Sequence, residues 1–260
     1  MNNHEIDYRI LGDEIQCVEI ELDPMETVIA ESGSLMMMEE AIKMETIFGD
    51  GSDKTQSVLS KIFSAGKRML TGESLFLTAY TNQGNHKKRL VFAAPYIGKI
   101  LPMDLSQYDG KLICQKDSFL CAAKGVMIGI EFQKKIGAGL FGGEGFIMQK
   151  LEGDGMAFVH SGGAIIKREL SAGEKLRIDT GCIVAFTKHT HYDIEFVGGI
   201  KNTIFGGEGL FFATLTGPGT IWVQSLPFSR LASRILSGAV GRRKEEGSIL
   251  GGLGNLIDGD

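Results

Sequence analysis

The chain has 260 residues, 43% of them hydrophobic and 23% charged, with a formal net charge of −5. This is the composition of an ordinary globular protein with ample material for a core, and its acidic balance argues against a generic binder of nucleic-acid phosphates. Glycine stands out at 36 residues against 5 prolines, lies among Val, Ile, Leu and Phe and has no three-residue period, so collagen-like and disordered readings fail and an all-β fold with many tight turns is predicted.

In chain order, MNNHEIDYRI carries no basic-then-apolar leader, and no apolar run reaches membrane-spanning length, so a cytoplasmic chain is expected. Cys17, Cys114, Cys121 and Cys182 form no CxxC pair. Cys182, inside CIVAF, is expected to pack as a small buried thiol in a reducing compartment. Met36, Met37 and Met38 are read first as core packing and second as a pliable binding edge.

Between Met44 and Leu70, TQSVLSKIFSAGKRML places Val58, Leu59, Ile62 and Phe63 on one helical face with Lys61, Lys67 and Arg68 nearby. Such a helix caps a β core, builds an oligomer contact or rests on an anionic membrane surface. Leu59, Ile62, Phe63, Lys67 and Arg68 are the candidate contact residues.

A Gly-Glu turn then recurs: LTGESL at 70 to 75, LFGGEG at 140 to 145 and IFGGEG at 204 to 209. A phosphate loop needs its glycines between a strand and a helix N-terminus. Here FIMQKLEGDG and LFFATLTGPG follow, which read as strands, and the glutamates would repel a phosphate. Gly72, Glu73, Gly143, Glu144, Gly207 and Glu208 are therefore read as structural turns.

Strands and turns account for the rest up to about residue 226. KLRIDTGCIVAFTKHTHYDIEFVGG alternates partly and is rich in β-branched and aromatic residues, while FLCAA, CIVAF and LFFATL suit strands covered on both faces. Within this region His189-Thr-His191-Tyr-Asp-Ile-Glu195 matches the first half of a cupin metal motif. On a strand, His189, His191 and Glu195 would share a face. The third histidine has no counterpart, and Glu195 has a twin in Glu131 where no histidines stand, so a strand edge is the competing reading. Ser32, Ser34, Ser118, Ser161 and Ser225 lack a nucleophile context, and no catalytic residue or cofactor is expected.

After Pro227, FSRLASRILSGAV spaces Phe228, Leu231, Ile235 and Leu236 as one helical face, with Arg230 and Arg234 on another, so 227–240 is predicted as an amphipathic helix. Residues 241–260 read as a flexible Gly-rich tail.

The region before the helix repeats. At an offset of 64, Lys111-Leu112 aligns with Lys175-Leu176, Ile130-Glu131-Phe132 with Ile194-Glu195-Phe196, and Phe141 to Gly145 with Phe205 to Gly209. Leu151, Gly153, Gly155 and Ser161 likewise align with Leu215, Gly217, Gly219 and Ser225. A weaker first copy matches Val28 and Ser34 to Leu112 and Ser118 at offset 84, then Gly72-Glu73 to Gly143-Glu144 at offset 71, so it carries about 13 more residues. Residues 1–226 are expected to form one β domain of three units, about 15–100, 101–164 and 165–226, because one such unit buries little alone.

GGEG(L/F)F followed by L-x-G-x-G and Ser, with ESGSLMMM near the start and LTGESLFLTAYTN between, resembles the altered-inheritance-of-mitochondria protein 24 family over about residues 5 to 235. The resemblance implies a β fold like the tryptophan RNA-binding attenuation protein, a short relative of the double-stranded β-helix, and brings no established catalytic residues. Its mitochondrial members are associated with inner-membrane organisation.

The reading that follows is a non-enzymatic β-repeat protein: a homo-oligomeric scaffold or binding module, with a protein partner or an anionic membrane surface as further contacts. A cupin-like metal enzyme using His189, His191 and Glu195 is the first alternative. An RNA-binding module is the second, and it lacks the aromatic platforms interleaved with Lys and Arg that it would need.

Overall fold

In the computed structural model, residues 3, 5–48, 76–134, 146–196 and 211–236 are described. These residues are mostly β, with one α-helix among them, at 228–236, and short 3-10 turns at Leu105–Tyr108, Lys116–Ser118 and Thr180–Cys182. β1 (Asp7–Leu11) leads into β2 (Cys17–Leu22), β3 (Thr27–Glu31), β4 (Leu35–Met38), β5 (Ile42–Phe48), β6 (Phe76–Asn82) and β7 (Lys88–Ala93). Next come β8 (Gly98–Asp104), β9 (Lys111–Gln115), β10 (Phe119–Ala123), β11 (Met127–Lys134), β12 (Phe146–Glu152) and β13 (Met156–Gly162). The last strands are β14 (Ile165–Leu170), β15 (Lys175–Asp179), β16 (Ile183–Thr187), β17 (His191–Phe196), β18 (Phe211–Thr216) and β19 (Gly219–Gln224).

These form four antiparallel sheets. Sheet A has the order β1-β2-β7-β4, sheet B β5-β6-β3-β10-β13-β8, sheet C β11-β12-β9-β16-β19-β14, and sheet D β15-β18-β17. The two six-stranded sheets share one plan. In each, the centre is an antiparallel join between strands far apart in sequence, β3 with β10 in sheet B and β9 with β16 in sheet C.

Three apolar cores lie between the sheets. Val18, Ile20, Leu22, Leu90 and Phe92 of sheet A meet Val28, Ala30, Tyr80 and Phe158 of sheet B. The opposite face of sheet B supplies Ile29, Leu77, Ala122 and Val159, which pack with Leu112, Ile128, Leu151 and Trp222 of sheet C. Sheet C in turn meets sheet D through Ile113, Phe146, Met148 and Ile221 against Ile194, Ala213 and Leu215. Sheets B and C are therefore covered on both faces. That explains why FLCAA (β10) is buried along its whole length and IVAF of β16 with it, whereas CVEIEL (β2) alternates, with Glu19 and Glu21 on the outer side.

Local polar contacts pin the hairpins. Asn82 is fully buried; its amide donates to the carbonyls of Leu22 and His86, both at 2.9 Å, and its oxygen accepts from the Gly84 N–H at 2.9 Å. Gln224, also buried, accepts from the Gly162 N–H at 2.8 Å and donates to the Gly181 carbonyl at 2.9 Å, which links the end of β13 to the turn before β16. An interior amide side chain is tolerable because its partners are filled.

Candidate functional site

The three candidate metal ligands do not converge. TKHT closes a turn, with Thr190 N–H donating to the Thr187 carbonyl at 3.0 Å, so His189 is not on a strand and the expected alternation with His191 fails. Its Nε2 stands 3.1 Å from Asp109 Oδ2. His191 opens β17 opposite Thr216, exposed to solvent, while the Glu195 carboxylate accepts from Arg177 at 3.0 Å. Glu131, its counterpart at offset 64, accepts from Lys111 at 2.9 Å, so both glutamates serve as cross-strand ion-pair partners. Among the described residues no group of three or more His, Cys, Asp or Glu is placed to hold a metal ion.

The turn residues Gly72, Glu73, Gly143, Glu144, Gly207 and Glu208 lie outside the described residues, as do Leu59, Ile62, Phe63, Lys67 and Arg68 and the tail 241–260. No helix among the described residues is long and apolar enough to cross a membrane.

Two expectations about apolar and thiol residues need correction. Met36, Met37 and Met38 are not core residues: they are 61%, 54% and 40% exposed. Among the described residues β4 is the outer strand of sheet A and pairs with β7, with a register shift between Leu35 and Met37. Edge position among the described strands overrides the hydrophobic pattern that suggested burial. Cys182 is half-buried, with Arg230 Nη2 3.8 Å from its sulfur; the fully buried thiols are Cys114 and Cys121. None of the four cysteines, all among the described residues, is in a disulfide, and burial pushes Cys114 up to about 12, away from thiolate reactivity.

At the other end of the sheet series, β15 is the outer strand of sheet D. Its last residue, Asp179, accepts from Gly181 N–H at 2.9 Å, and its other carboxylate oxygen stands 3.2 Å from Arg230 Nη2. The helix therefore starts beside β15. Its face carries Phe228, Ile235 and Leu236 at 51%, 63% and 65% exposure, although Phe228 touches Tyr96, with ring centroids 5.4 Å apart.

Sheet A and the interior hold further ionisable groups. A hollow of about 270 Å³ on sheet A is lined by Asp7, Tyr8, Arg9, Glu19, Glu21 and Arg89, but Arg9 bonds Glu19 at 3.0 Å and Arg89 bonds Glu21 at 2.7 Å. Lys87 and then Arg89 hold Glu21 below its usual range. His160 is fully buried, with Nε2 3.1 Å from the Tyr96 carbonyl, and burial pushes it down to about 4. Glu31, at the end of β3, is raised to about 7 by burial first and by the Asp117 carboxylate second. A neutral imidazole and a half-titrated carboxyl could move protons, yet neither faces a described cavity together with a nucleophile.

The open edges, the exposed methionines and the buried joins are thus the distinctive features among the described residues, and the chain as a whole is similar to known proteins. The family model described as Mitochondrial biogenesis AIM24 matches residues 8–226. The chain belongs to that family. An uncharacterised protein from Streptococcus pyogenes serotype M6 is 32% identical over 222 residues, 84% of each chain. The crystal structure of a Streptococcus pyogenes protein from a structural-genomics consortium superposes with a TM-score of 0.70 at 25% identity, covering 90% of this chain and 99% of that one. This AIM24 chain thus spans nearly the whole of that relative. Sequence reasoning found the family through its turn motifs but missed the β4 and β15 edges and the Arg230–Asp179 contact, since sheet order is not written in local periodicity.

Proposed function

We propose that this protein makes and breaks no covalent bonds and works in the cytoplasm as a self-associating scaffold or binding module, built from three copies of one six-stranded unit. The observation that carries the reading is the row Met36, Met37 and Met38 on an open strand edge, because flexible thioether side chains at an unpaired edge suit a contact surface better than a reaction site. The correspondence of β9, β10 and β11 with β15, β16 and β17 at offset 64 supports the repeated unit.

Native mass spectrometry of the full-length protein, followed by its denatured mass, tests this directly. A homo-oligomer without metal is expected; a 28.2 kDa monomer at micromolar concentration would refute self-association. A second contact, with an anionic membrane surface, is favoured by Phe228, Ile235 and Leu236 standing exposed on a helix that also carries Arg230 and Arg234. Flotation with phosphatidylserine vesicles, and its loss on truncation at residue 226, would establish it; equal flotation of both forms would exclude the helix.

A further inference from the structure

The two six-stranded sheets are joined in one manner, and a third join of that manner is left open. β3 corresponds to β9 at offset 84 and β9 to β15 at offset 64; β4, β10 and β16 correspond in the same way. β3 pairs with β10, with Cys121 opposite Ala30, and β9 pairs with β16, with Ala185 opposite Cys114. The remaining members of the two sets are β15 and β4. They lie on the outer edges of sheets D and A and are not paired with each other.

β4 carries the marks of a joining strand. β10 shifts register between Phe119 and Cys121, and β16 between Ile183 and Ala185. β4 does so between Leu35 and Met37, the corresponding positions. In the formed join of sheet B, the counterparts of Met36, Met37 and Met38 are Leu120, Cys121 and Ala122, at 1%, 0% and 0% exposure; the methionines are at 61%, 54% and 40%. β15 shows the same contrast: Leu112 and Cys114 of β9 are fully buried, whereas Leu176 and Ile178 are only partly so. These are apolar residues built for a sheet centre and left at an edge.

We propose that β15 of one copy pairs antiparallel with β4 of a second copy of this chain, in the register Met37 opposite Ile178, Met38 opposite Arg177 and Glu39 opposite Leu176. The register follows from the pairs Cys121–Ala30, Ala122–Ile29 and Ala123–Val28 by the same offsets. Pairing joins sheet D of one copy to sheet A of the next, giving seven strands with the six-stranded plan plus β1. The occupant is a second copy because each edge lacks what the other supplies, and in the chain itself they belong to separate sheets. Since the two patches differ, the contact is head-to-tail and propagates into a ring or a filament rather than a twofold dimer. This deepens the self-association reading and rests on it.

The test uses full-length protein. Met38→Cys and Arg177→Cys chains are mixed, oxidised mildly and run denatured. A disulfide-linked species of twice the chain mass is expected in the mixture and not in either variant alone. In parallel, Met38→Pro is examined by native mass spectrometry. Glu39 N–H donates inward to the Arg89 carbonyl at 2.9 Å, so the neighbouring Met38 N–H points away from β7 and proline there removes only the outward donor. Loss of the oligomer with an unchanged β-type circular dichroism spectrum is expected.

An oligomer that persists in Met38→Pro and gives no mixed cross-link would overturn the edge pairing while self-association stands. A wild-type monomer would overturn both. A double variant that cross-links only within one chain would replace the second copy by closure of the chain on itself.

Discussion

Arg230 Nη2 lies 3.2 Å from Asp179 Oδ2, and through this contact the helix at 228–236 is fastened to the last residue of β15. The two side chains are 38% and 23% exposed, so the pair contributes about 1 kcal/mol or less. Arg230→Ala is therefore expected to lower Tm by only about 2–4 °C, and deletion of 227–260 to leave a cooperative β melt while altering the oligomer distribution in sedimentation. A truncated chain that no longer melts cooperatively would show that the helix belongs to the core.

Asn82 offers the opposite case. Truncation to Ala leaves the Leu22 and His86 carbonyls and the Gly84 amide without their side-chain partner in a buried hairpin. Stranded buried polar groups are costly, so Asn82→Ala should cost about 3 kcal/mol in urea denaturation. A loss below about 1 kcal/mol would mean that the hairpin holds its shape without this residue.

The buried His160 and the half-buried Glu31 give the stability opposite dependences on pH. His160 is lowered from 6.5 to about 4; the unfolded chain takes up a proton that the folded chain refuses, so stability is present above pH 6.5 and is lost as pH falls towards 4. Glu31 is raised from 4.5 to about 7; the folded chain keeps a proton that the unfolded chain gives up, so its contribution is present below pH 4.5 and is lost as pH rises through 7. Glu31→Gln should thus gain on the wild type by about 3 kcal/mol between pH 4.5 and pH 8. Denaturant melts at both pH values read this difference, and an unchanging gap would contradict it.

Metal retention is expected to be negligible. With His189 against Asp109 and Glu195 against Arg177, protein dialysed after exposure to zinc should carry no stoichiometric ion in elemental analysis, and His191→Ala should match the wild type. One zinc per chain, lost in His191→Ala, would restore the enzyme reading.

What could be read in advance follows from which forces are local. FLCAA and CIVAF announce strands covered on both faces because burial on both sides demands an unbroken apolar run. The structure covers FLCAA and IVAF so, with Cys182 half-buried just before the strand. LFFATL instead alternates, Ala213 and Leu215 buried and Phe212 and Thr214 half-buried, because sheet D packs on sheet C through one face. The helix after Pro227 follows from 3.6-residue spacing. His189 leaves the alternation because a Thr190–Thr187 hydrogen bond turns the chain, and nothing in the spacing of His189 and His191 marks that turn. Met36 to Met38 were misplaced for a different reason: an apolar strand left at an edge has the same local pattern as one in the centre, and only the order of strands tells them apart.

The joins of β3 with β10 and of β9 with β16 also govern how the molecule comes apart. Each one holds a sheet whose two faces serve different cores, so parting Cys114 from Ala185 would wet residues that pack with Trp222 on one side and weaken the strands that carry Ile113 and Phe186 on the other. The sheets are therefore expected to come apart together, as one calorimetric transition.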